Sequence, residues 1–220
     1  MKGSARSEGE RAIENRMDRR DLEPGEETMK SAKFTIEGTA PIQFGRCIQS
    51  ERGIGESHDA LEQRAWRERM HVDDKGRVFI PPAAVKNGMR DVSQYLGESV
   101  SGRGKMTYTK FFRAGIMVVD PLPLIVKGKT VTIDDAEPLK LFVPADGRTG
   151  GGKRVWKTFP IFSEWKTSGT IYLLDPLLIE RSAKVQEYLE HMGKFIGLGV
   201  FRPQNGGYFG RFNVSKFDVA

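Results

Sequence analysis

Apolar and polar positions alternate from Ala32 onward. Phe34 and Ile36 have polar neighbours, and Ala40-Pro41-Ile42-Gln43-Phe44 keeps the extended pattern until Gly53 and Gly55 break it. Ser57 is placed to cap a charged helix from His58 to about Met70 that carries Leu61, Ala65 and Trp66. Asp73-Asp74-Lys75-Gly76 reads as a turn and Arg77-Val78-Phe79-Ile80 as a short strand. Pro81-Pro82 then opens a helix, because proline is tolerated in a first turn. Val85, Met89, Val92 and Leu96 follow at helical spacing, and Gly97 ends it. Strand-like pieces lie at 116–119, 129–133, 139–143, 155–162 and 169–174. Asp175-Pro176 starts a second helix whose stripe is Val185, Leu189, Met192 and Ile196, and strands follow at 200–202 and 208–217.

This order predicts an α+β fold: a ferredoxin-like βαββαβ core with inserted β-hairpins and a helical insertion. Two helices among many strands argue against a doubly wound sheet, which needs a crossover helix for each parallel pair. Residues 1–30 alternate in charge and have few apolar positions, so they read as a disordered charged tail. Residues 31–220 form a single domain with an insertion at 48–76 and a thumb-like hairpin at about 140–162. No repeat of 20–50 residues and no heptad seam is present.

Charge narrows the function. The 220 residues carry a net +6, while the first 30 hold seven Lys/Arg against eight Asp/Glu, so the whole positive excess belongs to the predicted domain. Such a field favours polyanions or an anionic membrane surface. No apolar run approaches the ~20 residues that span a bilayer, and the first residues lack an apolar signal core. Cys47 is the single cysteine, which excludes an internal disulfide framework. It lacks any nucleophile signature and reads as buried or inert. A cytoplasmic protein without a cofactor is expected.

The candidate chemistry is cationic and aromatic. Between Gly193 and Phe212 lie six glycines, enough for close backbone approach, interleaved with Lys194, Arg202, Tyr208, Phe209 and Arg211. No acidic residue falls between Glu190 and Asp218. Cations attract phosphates and aromatic faces stack on bases, the two terms that hold single-stranded nucleic acid. Residues 99–119 are also free of acids and offer Arg103, Lys105, Lys110 and Arg113, with Tyr108, Phe111 and Phe112 as stackable faces. Gly147–Arg154 nearly matches a phosphate-binding loop. However, Arg154 replaces the Mg²⁺-binding hydroxyl, and the following Val155–Pro160 cannot open a helix. The segment reads instead as a basic hairpin tip presenting Arg148, Lys153, Arg154 and Lys157 to phosphates. His58, His71 and His191 are too scattered for a metal site. His58-Asp59 is the one pair that could serve acid–base work on RNA.

Two motifs together resemble the repeat-associated mysterious proteins (RAMPs), the RNA-binding subunits of CRISPR effector complexes. Phe79-Ile80-Pro81-Pro82-Ala83-Ala84-Val85-Lys86-Asn87-Gly88-Met89-Arg90 is similar to their strand-to-helix signature, with Pro81, Lys86 and Arg90 in place. Pro82, Ala83 and Ala84 depart from its Gly-Ser-Ser, and the glycine is shifted to Gly88. Gly197-x-Gly199 through Gly207-Tyr208-x-Gly210-Arg211 resembles that family's C-terminal glycine loop. The resemblance implies an RRM-like core, RNA held against Lys86, Arg90 and the glycine loop, and a protruding thumb. It also implies subunits polymerised head to tail along a guide, with other effector subunits as partners. The expectation is a non-catalytic single-stranded nucleic-acid-binding protein coating guide RNA. A stand-alone ssDNA-binding protein of phage replication or recombination is the alternative. An endoribonuclease centred on His58 and Asp59, or a structural oligomer with incidental charge, would be different classes.

Overall fold

The alternation around Phe34 becomes the first strand, β1 (Lys30–Gly38), which buries Ala32, Phe34 and Ile36 on one face and leaves Lys33 and Glu37 in solvent. This computed structural model describes residues 29–145, 147 and 152–220. The tail expected over 1–30 lies outside those residues except for Met29 and Lys30. Arg148 and most of the hairpin tip also lie outside them.

After β1 come β2 (Ile42–Gln43), α1 (His58–Ala65), a 3-10 turn (Trp66–Arg69), β3 (Phe79–Ile80), α2 (Pro82–Leu96), α3 (Thr109–Ala114) and β4 (Ile116–Met117). The chain continues through β5 (Leu122–Pro123), β6 (Ile125–Val126), β7 (Lys129–Thr130), β8 (Glu137–Pro144), β9 (Arg154–Phe162) and β10 (Lys166–Leu173). It ends with α4 (Pro176–Glu180), α5 (Ser182–His191), a π turn (Met192–Ile196), a 3-10 turn (Pro203–Asn205) and β11 (Phe212–Val219). The main sheet is antiparallel: β1 lies between β11 and β10, and β4 and β6 both pair with β10.

Helices cover one face of this sheet. α2 runs from Pro82 to Gly97, whose φ of 58° gives the left-handed stop; α2 packs on α5, and α5 on β11. Val85, Met89 and Val92 from α2 meet Val185, Tyr188 and Leu189 from α5 in the core that also holds Phe34 and Ile36. Fully burying each large apolar side chain stabilises by about 1.5–3 kcal/mol, so this interior dominates the fold's favourable energy.

A second sheet, β2-β9-β8, contains the predicted hairpin. Its stem is regular from Glu137↔Ile161 to Pro144↔Arg154, and its root joins the domain where Ile42 pairs with Phe162. The predicted insertion packs on that root. Glu62 and Arg69 form a nearly buried ion pair at 2.5 Å, Glu62 also accepts from the Thr158 N–H, and the Arg69 guanidinium lies over the Phe159 ring. The insertion helix is α1 followed by the 3-10 turn, and Ser57 caps it as expected by accepting from the Ala60 N–H.

Several expectations are corrected. The segment at 109–114 is a short helix, and Tyr108, Phe111 and Phe112, expected as stackable faces, are all buried. Phe112 stacks on Tyr188, and Tyr108 meets Phe111, Phe112 and Tyr188 at edge-on or tilted angles, so these rings serve the interior rather than a ligand. Residues 200–202 form no strand, and β11 begins at Phe212 rather than Tyr208. Left-handed backbone at Gly199, Phe201, Gly206 and Gly210 breaks the extended ladder here. Cys47 is exposed, because the chain leaves β2 for the surface directly after Phe44. Among the described residues no helix is long and apolar enough to cross a membrane.

Candidate nucleic-acid interface

The glycine-rich segment is shaped first by its own packing. Gly199 (φ 78°) presses its Cα against the Gln43 carbonyl of β2, and Gly210 (φ 69°) presses against the Leu198 carbonyl. Any Cβ at either position would collide with backbone. The Val200 N–H donates to the Gln43 carbonyl at 3.1 Å, and the Gly210 N–H donates to the Pro41 carbonyl at 2.7 Å. Much of the glycine content therefore closes this loop onto the domain rather than onto a ligand.

The π turn sets the chemistry beside it. Its wide register, closed by the Gly197 N–H on the Met192 carbonyl at 2.8 Å, buries Met192, Gly193 and Ile196 and turns Lys194 and Phe195 outward. Such π turns occur often at functional sites. Phe195 stacks on Tyr95 from α2 at 5.2 Å with 29° between planes, and on His191 at 5.7 Å with 22°. The result is a column of three rings, in which Tyr95 is 63% exposed.

Tyr95 and Phe195 wall a cleft of about 640 Å³ that also takes in Lys194, Arg211, Gln204 and Asp91. The volume falls in the range of small-ligand sites. Arg211 donates to the Lys194 carbonyl, which holds its guanidinium against the π turn that carries Lys194. Asp91 is the single carboxylate on the cleft wall and is nearly buried. Arg90 donates to its Oδ1 through Nε and Nη2 at 2.9 and 2.6 Å, Gln204 Nε2 donates to its Oδ2 at 3.1 Å, and Arg202 approaches to 3.7 Å. A buried carboxylate needs such partners, and here two guanidiniums more than balance it. The cleft and its edge thus unite Arg90, Lys194, Arg202 and Arg211.

The other predicted residues lie elsewhere. Lys86 faces a separate, mainly apolar depression with Pro81, Ala83, Met117 and Val118. Arg103 and Lys105 sit on a tight loop closed by the Ser99–Thr107 bridge, and Arg103 and Lys110 both lie over the Phe111 ring at 5.7 Å from its centre. Arg113 is exposed at the end of α3. Tyr208 is exposed and stacks on Phe209 at 4.3 Å. Lys153 is exposed on the hairpin, while Arg154 folds over the Phe142 ring and donates to the Phe142 carbonyl at 2.5 Å. Lys157 donates to the Ala145 carbonyl at 2.9 Å. Arg148 lies outside the described residues. His58 and Asp59 are exposed on the first turn of α1.

Sequence reasoning missed Tyr95, Gln204 and Asp91. Tyr95 carried a usable signal, since it is off the apolar stripe of its own helix. Exposed Phe142 and Trp156, paired across β8 and β9 at 5.2 Å, form a second aromatic patch beside Lys140 and Arg154.

No protein-family model matches the chain, and no curated protein matches it by sequence. Among solved structures it is similar to a chain of the Type III-B Cmr-beta complex bound to cognate target RNA, at 12% identity and a TM-score of 0.44. That match covers 87% of this chain and 60% of the other. It is also similar to Cmr6 from Pyrococcus furiosus, at 10% identity and a TM-score of 0.44, covering 86% of this chain and 99% of the other.

Proposed function

We propose that the chain is a non-catalytic protein that binds single-stranded nucleic acid, with RNA as its first ligand, and that it serves as a backbone-type subunit of a CRISPR-type ribonucleoprotein in the cytoplasm. The observation that carries binding is the convergence of Lys194, Arg211, Arg90 and Arg202 on a cleft walled by the exposed Tyr95–Phe195 stack. In this reading the cations track phosphates and Tyr95 supplies the face on which a base rests. The choice of RNA and of an effector complex rests on the motif resemblance. Its partners would be guide RNA, neighbouring copies of the chain and other effector subunits.

We read the core as ferredoxin-like and RRM-like. The antiparallel order β11-β1-β10-β4, with α2 between β1 and β4 and α5 between β10 and β11, supports that reading. β2, α1 and the β8–β9 hairpin are then insertions.

The test is retention of labelled 20-mers of RNA and of DNA at moderate salt, with and without EDTA. Intact RNA held by the wild type and released by Lys194→Glu supports the proposal. RNA that is cut would move the function to the His58–Asp59 nuclease reading. Tighter binding of DNA would move it to ssDNA coating, because a site that prefers RNA must contact the 2′-hydroxyl. No retention of either strand would sink it.

A further inference from the structure

The cleft also holds an amide whose orientation is fixed by charge. Gln204 lines the cleft, and its side-chain amide lies against Asp91 Oδ2 at 3.1 Å. The carboxylate can only accept, so the amide nitrogen must face Asp91. Asp91 cannot turn away to relax this constraint, because Arg90 holds its other oxygen with two hydrogen bonds and the residue is nearly buried. Gln204 Oε1 is therefore directed away from Asp91 as a fixed acceptor. The Tyr95 ring that walls the same cleft ends the three-ring column on that side, since His191 lies beyond Phe195. One stacking face and one acceptor of set direction are thus presented together.

On the reading of this cleft as a nucleic-acid site, we infer that it holds one nucleobase bearing an exocyclic amine, stacked on Tyr95 and donating that amine to Gln204 Oε1. Cytosine has an amino donor at the position where uracil has a carbonyl oxygen, and adenine has one on the equivalent edge. Uracil would set its O4 against Oε1, acceptor against acceptor. Phosphate contacts from Lys194 and Arg211 fix the register of the strand but carry no base information. The site thus reads one base in an otherwise sequence-blind strand.

The clean comparison is cytosine against uracil, two rings of equal size that differ at this one group. Oligo-C and oligo-U RNAs of the same length are titrated onto the full chain by fluorescence anisotropy. The wild type is expected to bind oligo-C about 3- to 10-fold more tightly, the range of one net hydrogen bond. Gln204→Met keeps the length of this exposed side chain and removes the acceptor. It should bring the ratio close to one. Equal affinities in the wild type, or a preference that survives Gln204→Met, overturn the inference. If both strands bind equally and both are weakened by Lys194→Glu, base reading falls and the cleft remains a nucleic-acid site. If neither strand binds at low salt, the cleft reading fails and takes this inference with it.

Discussion

Tyr95 and Phe195 stack at 5.2 Å although one ends α2 and the other belongs to the π turn, so each ring holds the other at the mouth of the cationic cleft. Two consequences can be separated by mutation. Tyr95→Ala should weaken binding of single strands by about 1–3 kcal/mol, the value of a base–aromatic stack. The change is at an exposed site, so the thermal midpoint should shift by no more than about ±0.5 kcal/mol of stability. Tyr95→Phe should bind as the wild type does. Parallel anisotropy titrations and melting curves read both numbers; a Tyr95→Ala protein with full affinity removes the ring from the site.

Salt dependence should count the cations. If Arg90, Lys194, Arg202 and Arg211 each neutralise one phosphate, log K against log[salt] should slope at about −3, taking −0.7 per contact for single strands. Lys194→Ala should reduce the steepness by about 0.7, because this side chain is exposed and makes no hydrogen bond or ion pair among the described residues. A slope near zero in the wild type would exclude phosphate tracking.

The Glu62–Arg69 pair should be the latch between insertion and hairpin. Arg69→Ala strands a nearly buried carboxylate and is expected to cost about 3–5 kcal/mol. Glu62→Gln combined with Arg69→Met removes both charges and should recover much of that loss. Chemical denaturation of the three proteins tests this. Equal stability of Arg69→Ala and wild type would show that the contact is incidental.

Acid should loosen the insertion before the rest. The Arg64 guanidinium and the Gly53 N–H hold Glu56 down at about 2, and the Ser50 hydroxyl and N–H hold Glu68 below its ordinary value of 4.5. Arg77 lowers Asp73 in the same way. Each carboxylate takes up protons more readily when unfolded, so its stabilisation is present above the ordinary carboxylate range and is lost as pH falls toward the folded value. Burial lowers His71, followed by the nearby Arg46 charge. This again favours proton uptake by the unfolded chain, so some stability is lost as pH falls below 6.5. The melting midpoint should decline in two stages, near and just below pH 6.5 and again below about 4.5, with His71→Gln removing the first. A midpoint that rises between pH 7 and pH 5 would contradict the assignment.

The sequence revealed elements whose pattern is local. α2 was legible from Pro82, the 3.6-residue stripe and Gly97, and the hairpin from its alternation between turn residues. Segment 105–114 was not, because Tyr108, Phe111 and Phe112 serve one interior through a short helix that follows a loop, with no stripe long enough to identify it. For the candidate site, Lys194, Arg202 and Arg211 could be read from an acid-free run. Their coupling to Arg90 passes through Asp91, and no linear pattern announces a carboxylate that lies inward and collects donors from two distant segments. In sequence the glycines suggest ligand approach, whereas Gly199 and Gly210 serve contact with β2 and with their own loop, a distinction that only tertiary neighbours can make.

The three tryptophans give this protein a built-in optical readout. Trp66 and Trp165 are buried, the latter with its indole N–H on the Ala40 carbonyl, whereas Trp156 is 46% exposed on the hairpin beside Phe142. A collisional quencher such as acrylamide will reach Trp156 first, so the quenchable fraction of the emission reports on the hairpin alone. The shielded, blue-shifted remainder reports on the core. Titrating a strand while recording both fractions would tell whether the hairpin is covered when the cleft fills, with no label attached.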